Sequence, residues 1–269
     1  MSQAPTAIRD EAVRVWNDDL EIHVKFAGTG PPLVHLHGAG GPRWDHLLDR
    51  LADRHTVYAI EHPGTSVGDP HAIHRVDSLW DLLLIYDEVL TALGGTAPVV
   101  VGESYGGMLA CELAASFPDR LGKLVLLAPI GLWRDDAPIA NWVSTPAAQL
   151  PALLFNDPAG PAAQAMLTPP ADPEQAVTAA SSLVWAIGCT SKFVWPVPDK
   201  GLSKRLHRVR TPALIVWGRQ DRLAPVAYAD EFGRRLPGSR VHVVDGCGHL
   251  PAVEQEDETY RVISEFLSG

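Results

Sequence analysis

Gly102-Glu103-Ser104-Tyr105-Gly106 sets one serine between two glycines, where an apolar run, Pro98 to Val101, gives way to a helical pattern. A hydroxyl presented on so tight a turn is a candidate nucleophile. The flanking glycines leave room for a strand to turn abruptly into a helix, and the helix N-terminus lies close to the oxygen. The three fixed letters alone arise by chance in roughly one chain in ten of this length. The strand before them and the amphipathic stretch after them carry the argument. An ordinary helix-capping serine is the competing reading.

A serine hydroxyl becomes a nucleophile only when a base takes its proton, and that base needs an acid to orient it. Of eleven histidines, His249 stands in a turn just past the apolar run 240–245, in Gly246-Cys247-Gly248-His249. Asp221 follows the apolar run Ala213 to Gly218 in Gly218-Arg219-Gln220-Asp221. Both positions are loops at strand ends, and the chain order is serine, aspartate, histidine. An attacked carbonyl also needs two N–H donors for its developing negative oxygen. Tyr105, directly after the serine, offers one. Ala39, in His37-Gly38-Ala39-Gly40-Gly41, offers the other, with His37 bracing that loop. Arg43 stands where a dinucleotide-binding G-x-G-x-x-G would need its last glycine. His35 and His37 share a strand face, but no third metal ligand follows at a recognisable spacing. No metal and no organic cofactor are expected.

The elements that must position these groups follow from the apolar periodicity. Residues 13–17 and 21–27 flank a turn signal and predict an edge hairpin. Residues 32–38, 56–61, 98–102, 123–129, 213–218 and 240–245 predict strands, the first four apolar on both faces. Helices are expected at 43–53, 78–93, 104–117, 225–236 and 251–267, with Met108, Leu109, Leu113 and Phe117 on one face of the third. This is an α/β architecture, a mainly parallel sheet flanked by helices. Residues 131–205 depart from it, holding ten of the 23 prolines and four of the eight tryptophans. They are expected to form a helical cap inserted into a core of residues 1–130 and 206–269. Cap aromatics Trp133, Trp142, Phe155, Trp185, Phe193 and Trp195, with Gly38 and Leu250 in the core, are candidates for lining a substrate pocket. A cap also needs a core of its own, so only one or two of the aromatics are expected to touch substrate.

Bulk properties bound the partners. A formal charge of -10 with no basic patch argues against nucleic acid and anionic membrane surfaces. Three scattered cysteines form neither a disulfide framework nor a zinc site, in keeping with a reducing compartment. Neither a signal-peptide pattern nor a run of about 18 apolar residues is present, so a cytoplasmic location is expected, with a small molecule as partner.

Taken together, HLHGAGG, EHPG, GESYGG, GRQDRLAP and GCGHLPAVE, in this order, resemble the α/β-hydrolase family with an inserted cap. The resemblance implies a triad of Ser104, Asp221 and His249 and an oxyanion hole at Ala39 and Tyr105. It departs at Pro63-Gly64-Thr65-Ser66-Val67-Gly68, where the family commonly reads P-G-x-G-x-S, so no role is carried over to Ser66. Nearby His62, His71 and His74 are expected to be surface or loop residues. Branches that open epoxides or remove halogens use aspartate as nucleophile, and epoxide opening uses cap tyrosines. Here Ser104 occupies the nucleophile position, and all five tyrosines lie outside 131–205. The carbon–carbon hydrolase branch, acting on vinylogous diketones, usually carries asparagine before the serine and tryptophan after the histidine. Glu103 and Leu250 stand there instead. Hydrolysis of a carboxylic ester is the favoured expectation, with carbon–carbon cleavage and a ligand-binding member of little turnover as alternatives. Glu103 either braces the turn or places a negative charge beside the reacting atoms.

Overall fold

Strands apolar on both faces must be covered on both faces, and that requirement organises the molecule. The computed structural model describes residues 7–66, 69–94 and 97–269. Its eight strands are β1 (Arg9–Val15), β2 (Leu20–Ala27), β3 (Pro32–Leu36), β4 (Thr56–Ile60), β5 (Val99–Glu103), β6 (Lys123–Leu127), β7 (Ala213–Gly218) and β8 (Arg240–Val244). They form one sheet in the order β1-β2-β4-β3-β5-β6-β7-β8. The β1–β2 and β2–β4 pairs are antiparallel and every later pair is parallel.

Neighbouring residues on a strand point to opposite faces, and the central strands divide accordingly. Leu124, Leu126, Ile215 and Trp217 join the larger core on one face, while Val125, Leu127, Leu214 and Val216 join the smaller core on the other. Fully burying each such side chain contributes about 1.5–3 kcal/mol. Because the strands from β3 onward run in parallel, the loops after β3, β5, β7 and β8 all open at one edge of the sheet. A site assembled from strand-end loops belongs at that edge.

The helices are α1 (His46–Ala52), α2 (Leu79–Ala92), α3 (Tyr105–Ser116), α4 (Leu150–Leu154), α5 (Pro161–Leu167), α6 (Pro173–Ser191), α7 (Ala227–Arg235), α8 (Pro251–Glu254) and α9 (Glu256–Ser268). Asp45 caps α1 by accepting from the Leu48 N–H at 3.1 Å, and Ser78 with Asp81 forms a capping box on α2. Between β6 and β7 the chain makes no strand, only α4, α5, α6 and short 3-10 turns.

Four expectations need correction. β1 begins at Arg9 rather than residue 13, and it ends at Val15 because Trp16, Asn17 and Asp18 all take positive φ in the turn. α3 has no exposed face: Tyr105 to Ala115 are all buried, since 3-10 turns Leu202–Lys204 and Leu206–Arg208 pack over it. Its one acid within, Glu112, is 1% exposed and takes a bidentate pair from Arg205 at 2.6 and 2.8 Å. The closing helix is broken at Gln255, whose non-helical backbone (φ −137°, ψ 55°) separates α8 from α9. Finally, His62 is a loop residue but fully buried, its ring packed edge-on against Tyr105 and Phe193. His71 and His74 are exposed as expected. Of the departing loop, Ser66 is half-buried, whereas Gly68 lies outside the described residues.

Candidate active site

β5 ends at Glu103 and α3 begins at Tyr105, so Ser104 alone makes the turn between them. Its backbone sits at φ 52°, ψ −108°, a sparsely populated conformation that costs about 1–3 kcal/mol. The surroundings hold it there. The Ser104 N–H donates to the Leu127 carbonyl at 2.8 Å, and its own carbonyl accepts from Met108 and Ile130. A Cβ on Gly106 would fall 2.0 Å from the Leu36 carbonyl oxygen, and one on Gly102 would fall 2.5 Å from the Gly106 oxygen. Both motif glycines are therefore required by close backbone approach. The Ser104 side chain makes no helix-capping hydrogen bond.

Its hydroxyl instead meets His249 Nε2 at 2.8 Å, and His249 Nδ1 meets Asp221 Oδ2 at 2.7 Å. Asp221 Oδ1 accepts the N–H groups of Leu223 and Ala224 at 2.9 and 2.8 Å, which orients the carboxylate. The carboxylate can only accept, so the partners assign the ring proton to Nδ1 and leave Nε2 to accept from the serine. All three residues are buried. Burial alone pulls the His249 imidazole downward. The Asp221 carboxylate, by charge and hydrogen bond, and the Glu103 charge outweigh it and raise the ring above its ordinary value. The arrangement can transfer a proton from Ser104 to His249 and stabilise the imidazolium that results.

The loop after β3 faces this turn. His37 Nδ1 donates to the Gly38 carbonyl at 2.7 Å, while its Nε2 accepts the His62 N–H at 3.0 Å, so a single neutral tautomer satisfies both bonds. Burial lowers His37 to about 4, which keeps that tautomer neutral near pH 7. The Ala39 carbonyl accepts from Thr190 Oγ1 of α6 at 3.2 Å. Among the described residues neither the Ala39 nor the Tyr105 amide donates to another group. No three His, Cys, Asp or Glu side chains gather as a metal site among the described residues.

The predicted pocket residues are distributed unevenly. Leu250 is buried in a small cluster with Phe155 and Ala163, directly beside His249. Phe193 is buried against His62. Trp133 and Trp142 are half-buried against the larger core, and Trp185 donates its indole N–H to the Gly64 carbonyl at 2.9 Å. Trp185 and Trp195 are among the exposed large apolar side chains, at 40% and 45%.

Sequence reasoning missed a clamp around the histidine loop. Glu254 accepts the Gly248 N–H at 2.6 Å and the Asn156 N–H at 2.7 Å, while His249 donates its own N–H to the Leu154 carbonyl at 2.7 Å. Arg222, next to Asp221, donates to the Phe155 carbonyl at 2.9 Å. Segment 154–156 is thus tied to both the aspartate and the histidine loops. The acid in GHLPAVE was the visible signal, but its partners are backbone groups that no residue type advertises. Glu103 also gains a setting: Arg43 Nη2 approaches it at 3.9 Å and Asp45 at 3.6 Å.

Comparison with known proteins adds family context. A family model described as "Alpha/beta hydrolase family" matches residues 33–262. The chain is 29% identical to a 2-hydroxy-6-oxononadienedioate/2-hydroxy-6-oxononatrienedioate hydrolase of Burkholderia vietnamiensis, covering 93% of this chain and 91% of that protein. It is 26% identical to a 2-hydroxy-6-oxo-6-phenylhexa-2,4-dienoate hydrolase of Burkholderia cepacia, covering 93% and 92%. Among solved structures it resembles a membrane phospholipase A described as a bacterial virulence factor, with TM-score 0.79, 21% identity and coverage of 97% and 86%.

Proposed function

Because the chain belongs to the alpha/beta hydrolase family, we propose that it cleaves a carboxylic ester of a small to medium, partly apolar substrate through an acyl-enzyme on Ser104. The observation that carries this reading is the unbroken hydrogen-bonded chain from Ser104 through His249 to Asp221. His249 Nε2 takes the hydroxyl proton as Ser104 Oγ attacks the carbonyl carbon. The carbonyl oxygen takes up the electron pair and is held by the Ala39 and Tyr105 amides. Collapse expels the alcohol, which leaves with the proton from His249. Water then repeats the sequence on the acyl-enzyme and releases the acid, restoring Ser104. Asp221 keeps the ring oriented and offsets its positive charge throughout.

Residues 131–205 act as a cap that restricts access, with Leu250, backed by the buried Phe155, as the apolar side chain next to the histidine. Small and medium substrates are therefore favoured over polymers. The protein works without metal or organic cofactor, with a small molecule as its partner and a cytoplasmic setting. The described residues contain no helix long and apolar enough to cross a membrane.

The names of the Burkholderia relatives favour a second reading, hydrolysis of a carbon–carbon bond in a dienoate. Against it stand Glu103 and Leu250, at the positions where that branch usually carries asparagine and tryptophan. A panel of neutral aryl and alkyl esters beside a 2-hydroxy-6-oxo-dienoate separates the two. Turnover of esters alone supports the first reading, and turnover of the dienoate with inert esters replaces it by the second.

A further inference from the structure

We propose that Glu103 is a specificity-determining residue that turns the site against substrates carrying a carboxylate near the scissile carbonyl. The inference rests on Ser104 being the nucleophile. Glu103 is the last residue of β5 and adjoins Ser104 in the chain. Its side chain is 8% exposed. A Cβ built on Gly38 would lie 3.6 Å from Glu103 Oε1 and 3.8 Å from Ser104 Cβ, so the carboxylate and the nucleophile both border the oxyanion loop at Gly38.

The surrounding charge is not balanced. Arg43 is shared between Glu103 at 3.9 Å and Asp45 at 3.6 Å, and it also donates to Met166 Sδ at 3.2 Å. Two carboxylates, Glu103 and Asp45, thus share one guanidinium beside the nucleophile. Asp221 is a further carboxylate of the site, held on His249 Nδ1 at 2.7 Å. Arg222 donates to the Phe155 carbonyl and Lys192 to the Ile73 carbonyl at 3.2 Å, and among the described residues neither forms an ion pair with Glu103. The charges that act on the His249 ring, Asp221 and Glu103, are both acidic.

A substrate carboxylate about 6 Å from Glu103, at an effective dielectric constant near 20, is disfavoured by up to roughly a hundredfold, and solvent screening brings this to about tenfold. The substrate class is therefore an ester that is uncharged, or carries a hydrogen-bond donor or cation, on the side facing Glu103. An anionic dienoate fits such a site poorly.

The test uses a pair of equal length, p-nitrophenyl valerate and mono-p-nitrophenyl glutarate, and reads the ratio of their kcat/KM values, so that a general loss of activity in a variant cancels. The parent protein is expected to favour the valerate by about tenfold or more. Glu103→Gln is expected to reduce that ratio by about tenfold, and Arg43→Gln, which removes the counter-charge, to raise it. A ratio that both variants leave unchanged, or a parent preference for the glutarate, overturns the inference. Should neither ester turn over, the ester reading fails. The charge inference is then decided by the rates at which a neutral and a carboxylate-bearing aryl phosphonate label Ser104. Equal labelling rates overturn it alone, and absence of labelling overturns both.

Discussion

Replacing Glu254 with glutamine tests whether the clamp around His249 supports both stability and reactivity. The carboxylate accepts two backbone N–H groups, from Gly248 and Asn156, at 2.6 and 2.7 Å. An amide keeps one acceptor oxygen and turns an NH2 group towards the other N–H, so one charge-assisted bond is lost and two donors face each other. Such a bond contributes about 1.5–3 kcal/mol, and half-exposure of the site places the loss near the lower end, about 2 kcal/mol. For a chain of this length that lowers Tm by about 4–8 °C. The rate suffers as well, because the residue beside Gly248 is His249. If about 1 kcal/mol of the lost restraint must be restored to reach the reactive geometry, acylation slows roughly fivefold. Thermal denaturation and the pre-steady-state burst of p-nitrophenol from an activated ester measure the two effects. Glu258→Gln is the control, since it removes only the partly exposed pair with His242 and is expected to cost less than about 1 kcal/mol with no change in the burst rate. A Glu254→Gln protein with parental Tm and parental burst rate would refute the reasoning.

The acid limb of kcat/KM is expected at a pH above the ordinary histidine value, because His249 must be neutral to accept the serine proton and its two acidic neighbours favour the protonated ring. Activity is lost as pH falls through that value, and Glu103→Gln moves the limb to lower pH; a full pH profile of both proteins checks the direction. Arg205→Ala strands the buried Glu112 carboxylate inside α3 and is expected to cost about 3 kcal/mol, read from the denaturant midpoint. Gly106→Ala forces a methyl group against the Leu36 carbonyl and is expected to cost about 3 kcal/mol or prevent folding, visible as loss of cooperative denaturation.

How much of this was legible in the sequence depended on whether a residue's job is local. The turn at Ser104 was readable because strand, glycine, serine and helix are consecutive, and the centre of the sheet was readable because Val99–Val101, Leu124–Leu127 and Ala213–Trp217 are apolar without interruption. Asp221 and His249 could be matched across long separations because few side chains supply an oriented acid and base, and both followed strand-like runs. Glu254 and Arg222 were invisible for the opposite reason, since they bind backbone groups, Glu254 those of Gly248 and Asn156 and Arg222 those of segment 152–156. The burial of α3 on every side was likewise hidden. Its small residues, Ala110, Ala114 and Ala115, read as neutral helix formers rather than as surfaces for close packing. His62 looked like an ordinary loop histidine. Only the fold places it beneath Phe193 and against Tyr105.

The central claim is that Ser104 carries the acyl group. Mixing the protein with p-nitrophenyl valerate, quenching in acid within the burst and mapping peptides by mass spectrometry tests it directly. The account predicts a valeryl adduct on the peptide containing Ser104, absent from Ser104→Ala, which should also lose turnover while retaining the parental fold. An unmodified Ser104 during steady turnover, or undiminished turnover in Ser104→Ala, would contradict it.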